Sequence, residues 1–265
     1  MSSMLPEFLS AGFMQRAFLG GGIISVVLAV ISFFVVLRGL SFIGVGISHS
    51  AFGGVALGVL LGIEPLWTAI VFCLVVGNLI VLTSRSAHFG EDTVIGIFFA
   101  LTMGMGVIML GFSKTYVDLF GYLFGNILAI SGGDLWVAGG VGILVLLSCA
   151  LFMKELLLDS FDRDIAMASG VPVRALDHLL ASLIALSIVI SIKLVGIVLA
   201  SALLVIPGAT ALKLTAKWRV MLALSVIVAL LSTMGGLVLA YYFDLAPGAS
   251  ITVAASLLFF LSMLK

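Results

Sequence analysis

Lys154–Asp177, KELLLDSFDRDIAMASGVPVRALD, is the stretch whose reading decides the fold. It holds Lys154, Glu155, Asp159, Asp162, Arg163, Asp164, Arg174 and Asp177, a third of the chain's twelve basic and twelve acidic side chains. Long apolar runs flank it on both sides, so here the chain leaves an apolar solvent and stays outside it. Within it, Ile165, Ala166, Ala168 and Ser169 predict a short helix that Gly170 ends and Val171-Pro172 turns away. A short polar helix held against one face of an apolar bundle is a surface that a partner protein can push on.

Outward from this stretch the composition names the solvent. Of the 265 residues, 63% are hydrophobic and 9% charged, where a soluble domain carries roughly a quarter charged residues. The chain is therefore expected to lie in a lipid bilayer. Its net charge is zero and no basic run occurs, which gives no footing for nucleic acid. Cys73 and Cys149 stand singly in apolar runs and are read as apolar fillers, not as ligands or a disulfide. Residues 1–16 have an interfacial pattern and lack the charged start and small-residue cleavage site of a signal peptide.

A hydrocarbon core about 30 Å thick needs roughly 20 helical residues. On that measure the spans are about 17–37, 41–62, 65–84, 93–112, 134–153, 176–192, 194–212, 220–243 and 247–264. The expected fold class is an all-α polytopic transmembrane helical bundle of eight or nine spans, forming one transmembrane domain over 1–265. The segment 113–133 is too broken by Asp118, Asn126 and glycines for a clean span, and suits an amphipathic or re-entrant helix. With nine spans, Arg38, Arg85, Lys154, Arg163, Arg174, Lys213, Lys217, Arg219 and Lys265 share one side, against Arg16, Lys114 and Lys193 on the other. The positive-inside rule makes the Lys154–Asp177 side cytoplasmic.

No catalytic constellation is readable: the chain has no HExxH, P-loop or dinucleotide fingerprint. It is expected not to be an enzyme, and any ATP-driven step needs an ATPase on another chain. His49 lies about eight residues, roughly 12 Å, into the second span, between Ser48 and Ser50. An imidazole at that depth needs a wet cavity or a hydrogen-bond partner. It also suits a borderline metal ion. The bland reading is a packing histidine satisfied by a nearby serine or carbonyl. Gly44, Gly46, Gly53, Gly54 and Gly58 let helices approach closely. Asp118 and Asn126 either line an outer vestibule or keep an interfacial helix wet. Met103, Met105 and Met109 read as core filler, Lys193 and Asp244 as polar span ends, and Glu91 with Asp92 as an N-terminal cap.

Several motifs in order resemble the permease subunits of ATP-binding-cassette importers for zinc and manganese. They are RGLSFIG from Arg38, SHSAFGG through Gly54, GEDTVIGI from Gly90 and DLFGYLFGNIL from Asp118. FDRDIAMASGVP from Phe161, KLVGIVLASALLVIPGATA from Lys193, PGAS from Pro247 and the closing FFLSMLK complete the set. The resemblance covers nearly the whole chain. It implies a coupling helix over Phe161–Pro172, including Asp162, Arg163, Asp164, Ala168, Gly170 and Val171, docked in a groove of a cytoplasmic ATP-binding-cassette ATPase. It implies a homodimer around the path and an extracytoplasmic metal-binding protein, in a prokaryotic inner (plasma) membrane.

His49 is the candidate metal ligand, with Asp118 as a candidate carboxylate and Ser48, Ser50 and Asn126 as candidate pathway-lining residues. Val45 stands where family members commonly place an aspartate four residues before the histidine, so the charge that would complete the pair is missing. No cofactor is expected in this chain; the transported divalent metal is substrate, zinc ahead of manganese, and ATP belongs to the partner. The alternatives are an ion-coupled secondary transporter, for which Asp118 is the nearest carboxylate, and a non-transporting membrane scaffold.

Overall fold

The computed structural model describes residues 12–86, 90–113 and 130–264. Its elements are α1 (Gly12–Leu37), α2 (Ile43–Leu61), α3 (Pro65–Ser86), α4 (Glu91–Phe112), α5 (Gly132–Leu151), α6 (Met153–Phe161) and α7 (Arg163–Ala168). They continue as α8 (Val173–Leu203), α9 (Ile206–Leu214), α10 (Trp218–Phe243) and α11 (Pro247–Ser262). The segment 114–129, with Asp118 and Asn126, lies outside the described residues, as does His88.

Among the described residues, helices that are long and apolar enough to cross a membrane occur seven times, with Val173–Leu214 taken as one run of 42 residues. A straight helix of that length would reach about 63 Å, twice the hydrocarbon thickness. It is broken at Gly196, whose φ of 83° and ψ of 169° are open only to glycine. The contacts on either side place the reversal. Lys193 meets Asp134 at the start of α5, whereas the Gly208 N–H donates to Ser32 near the basic end of α1. The run is therefore two crossings, as the sequence predicts, with the turn at Gly196 instead of Lys193. α9 is a separate piece of the returning crossing. α11, with 16 residues, is an apolar helix shorter than the other crossings, where the sequence predicts the ninth.

α1, α2 and the first part of α8 form the interior, with Phe33, Phe34, Ile47, Ile184 and Ile188 fully buried. α3, α4 and α5 turn apolar side chains outward, among them Val71, Ile97 and Ile143. Lipid and protein interior are about equally apolar, so close approach and polar pairing hold such helices together. A Cβ on Gly54 would stand 2.6 Å from Ala69 Cα of α3, and one on Gly53 2.8 Å from the Thr102 carbonyl of α4. The polar pairs are Ser25 with Thr233 at 2.5 Å (α1–α10), and Asn78 with Ser182 at 3.1 Å (α3–α8). Ser50 with Thr102 at 2.8 Å adds α2–α4.

Three details differ from the sequence expectation. The fifth crossing stops at Leu151, and after Phe152 the chain starts α6. The N-cap of α4 is Gly90, with Glu91 and Asp92 in the first turn, where they complement the helix dipole without capping a backbone N–H by side chain. Met105 is exposed on α4 and fills no core.

Neighbouring glycines of α10 test this packing. A Cβ on Gly236 would lie 2.4 Å from Ile251 Cα, whereas one on Gly235 meets nothing within 4 Å. Gly236→Ala is expected to destabilise the bundle by about 1–3 kcal/mol through overpacking, and Gly235→Ala to leave it unchanged or slightly steadier. Thermal unfolding of the two variants in detergent separates these outcomes.

Candidate functional site: the charged cytoplasmic face and His49

At the basic end of the bundle four elements converge on one carboxylate. Asp177, in the first turns of α8, accepts from Arg38 Nη1 at 2.9 Å, from Arg163 Nη2 at 2.7 Å, and from Arg85 Nη2. These arginines come from the turn after α1, from α7 and from the end of α3. Arg38 also donates from Nε to Ser160 at 3.2 Å and forms a 2.5 Å ion pair with Asp159 of α6. That pair lacks hydrogen-bond geometry. The Asp159 side chain is 0% exposed and that of Arg38 9%. Together with Glu91, these groups line a cleft of about 530 Å³ between the ends of α1, α3, α4 and α8.

Burial raises the Asp159 carboxyl above its ordinary value, against the opposing pull of Arg38. An acid whose folded pKa is raised gives its full stability below the ordinary carboxylate pKa. It loses that stability as pH rises through the folded pKa. In its ionised form Asp159 is disfavoured by burial and offset by Arg38, which faces it.

α7 is set by its own short sequence. Asp162 is its N-cap, with Oδ1 accepting from Ile165 N at 2.9 Å. Gly170 adopts a φ of 79°, the left-handed turn that stops the helix. Ala166 is fully buried, while Phe161, Ile165 and Met167 are exposed. The helix over Arg163–Ala168 therefore lies on the bundle by Ala166 and is tied to Asp177 by Arg163. Asp164, Ala168, Gly170 and Pro172 are exposed, and Val171 is half-buried.

His49, half-buried on α2, packs edge-on against Phe99 of α4 with ring centroids 5.0 Å apart. Its Nδ1 is 2.9 Å from the Val45 carbonyl. A carbonyl only accepts, so Nδ1 carries the proton and Nε2 keeps its lone pair in the neutral ring. A backbone acceptor that fixes the tautomer is the usual support of a metal-binding imidazole. Ser48 also donates to Val45 O, at 3.1 Å, and Ser50 bonds Gly46 O and Thr102. Both serines are 0% exposed within this chain, so their hydroxyls are occupied in helix packing. Among the described residues no three His, Cys, Asp or Glu side chains group as a metal site.

Sequence reasoning singled out α7 and His49, but not the clamp of Arg38 and Arg85 on Asp177 or the pairing of Arg38 with Asp159. Their partners lie up to 139 positions away. The available signal was that all four charges fall at span ends on one side. Lys193 is more than a polar end: it pairs with Asp134 at 2.7 Å, and Asp134 forms a capping box with Ser131.

Arg38→Met should leave Asp159 buried without its counter-ion and cost about 3–5 kcal/mol. Its deficit should shrink as pH falls, because protonation neutralises the stranded acid, and Asp159→Leu added to it should restore part of the loss. Thermal unfolding of the three proteins between mildly acidic and mildly basic pH checks both signs.

Comparison with known proteins places this geometry. The model of the ABC 3 transport family matches residues 10–265. The chain is 37% identical over 263 residues to the manganese transport system membrane protein MntC of Halalkalibacterium halodurans, covering 99% of this chain and 90% of the relative. It is 34% identical over 251 residues to the high-affinity zinc uptake system membrane protein ZnuB of Haemophilus influenzae, covering 94% and 96%. The solved structure of PsaBC from Streptococcus pneumoniae in complex with Fab superposes with a TM-score of 0.87 at 35% identity, covering 98% of this chain and 95% of that one. The bundle, its charged cytoplasmic face and the full-length match give one conclusion: the chain belongs to the ABC 3 transport family, as a multi-pass permease of the prokaryotic inner membrane.

Proposed function

We propose that this permease is the membrane subunit of an ATP-driven importer for a divalent transition metal, manganese ahead of zinc. The order reverses the expectation drawn from the sequence. Similar proteins named for manganese transport outnumber those named for zinc. Harder oxygen-rich coordination suits manganese better than a lone imidazole does, so His49 Nε2 is assigned as one ligand of a weak, transient site. Weak binding favours passage, since an ion held tightly in the path would not leave it. A further ligand is expected from outside the described residues, where Asp118 lies, or from a second copy of the chain.

The observation that carries this reading is the attachment of α7. Its exposed Ile165, with Phe161 at the end of α6, forms an apolar knob on a water-facing surface, which fits a groove on a cytoplasmic ATPase. Its Arg163 reaches Asp177, which also holds Arg38 and Arg85. A displacement of α7 by nucleotide-driven closure of the ATPase would therefore load the ends of α1, α3 and α8 at once. α2, which carries His49, follows α1 after a turn of five residues, 38–42. Asp162, Asp164, Ala168, Gly170, Val171 and Pro172 complete the coupling surface. The working unit is proposed as two copies of the chain with two ATPases and an extracytoplasmic binding protein.

The test is ATP hydrolysis and metal uptake by the chain reconstituted with its ATPase and binding protein. Ile165→Glu is expected to weaken ATPase association by about 2 kcal/mol, roughly thirtyfold, and to abolish binding-protein stimulation. Asp162→Asn keeps an oxygen for the α7 cap and should retain coupling. His49→Ala should reduce manganese uptake while leaving ATPase association intact. Normal association of the Ile165→Glu protein, or metal uptake without any ATPase, would overturn the importer reading.

A further inference from the structure

A second cleft opens on the other side of the clamp, with a volume of about 480 Å³. Arg85, Arg163, Arg174 and His178 line it, with Leu82 and Met167 beside them, and among the described residues no acid lines it. We infer that this cleft holds the headgroup of an anionic phospholipid of the cytoplasmic leaflet, a phosphodiester bearing one negative charge. The inference stands on the membrane placement alone and is independent of which ion is carried.

Charge is the first support. Arg38, Arg85 and Arg163 face Asp159, Asp177 and Glu91 across the clamp and its cleft. Arg174 is exposed and makes no hydrogen bond or ion pair among the described residues. Asp162 and Asp164 of α7 do not line the cleft. One positive charge is left over, the complement of a single phosphodiester. Arg85 and Arg163 each give one N–H to Asp177, out of the five that a guanidinium carries. Donors therefore remain on both for phosphate oxygens.

Place is the second support. α3 presents Trp67, Val71, Val75, Leu79 and Leu82 as an exposed apolar stripe, and Leu82 is also a cleft residue. The stripe runs about 22 Å along the helix and ends at the arginines. An acyl chain laid on it brings its headgroup to the cleft. Basic pockets between helices on the cytoplasmic side are suited to anionic headgroups. His178 adds a polar wall of fixed orientation. Asn78 Nδ2 donates to Leu74 O and Ser182, so Asn78 Oδ1 accepts from His178 Nδ1–H at 2.7 Å.

The test uses the permease–ATPase complex in nanodiscs of phosphatidylcholine doped with phosphatidylglycerol, followed by native mass spectrometry of retained lipid. Wild type should retain phosphatidylglycerol in preference to phosphatidylcholine. Arg174→Gln should lower that preference about fivefold, while Arg174→Lys should keep most of it and both variants should unfold at the wild-type temperature. Equal retention of the two lipids by wild type would overturn the proposal. So would undiminished preference in Arg174→Gln, as expected if a protein surface or a second copy covers the stripe. Inorganic phosphate is the control for a soluble anion. If it raises the thermal midpoint of delipidated wild type as phosphatidylglycerol does, and this is lost in Arg174→Gln, the site takes a free anion and the lipid assignment fails.

Discussion

A carboxylate with two oxygens serves three guanidinium groups at Asp177, and the cytoplasmic half of this bundle is arranged around that shortage. Arg38, Arg85 and Arg163 come from the end of α1, the end of α3 and α7. None of the three can be fully satisfied by Asp177 alone. Arg38 resolves its surplus by turning to Asp159, a buried acid that needs it in return. Half-buried ion pairs add little net stability, since desolvation offsets most of the attraction. What they add is geometry, because breaking one contact strands a charge. The clamp therefore fixes how four elements sit relative to one another.

The membrane makes this arrangement consequential. Within the hydrocarbon the helices are held by close approach and by pairs of hydroxyls and amides, such as Ser25 with Thr233 and Ser50 with Thr102. Such contacts tolerate small sliding. At the charged ends the clamp does not, and there α7 with the end of α6 offers the exposed apolar side chains of Phe161, Ile165 and Met167. Force applied there meets stiff connections at the helix ends and softer ones along the helix bodies.

His49 belongs to the softer region. Its ring is oriented by Val45 O and by Phe99, two contacts from two helices, α2 and α4. Val45 offers no side-chain ligand, yet its carbonyl sets the imidazole tautomer. The glycines of α2 bring α3 and α4 within backbone contact of this helix. A small relative shift of α4 thereby changes the surroundings of the imidazole.

Much of this was legible in the chain itself. Hydropathy and span-end charges gave the crossings and their direction, because burial of apolar length in lipid is a one-dimensional requirement. The short α7 and its stop at Gly170 were readable because left-handed turns are local, whereas the Asp162 cap came from the structure. Three things were decided only by tertiary structure. The turn between the sixth and seventh crossings fell at Gly196, since packing against α5 holds the outer end of α8 through Lys193. Ser50 reaches Thr102 of α4 while Ser48 bonds back to Val45 of its own helix, a difference that spacing does not show. The partners of Asp177 lie from 14 to 139 positions away, and like charges at span ends give no pairing rule. Sequence determines which groups must reach water or a partner; only the folded bundle decides which partner is within reach.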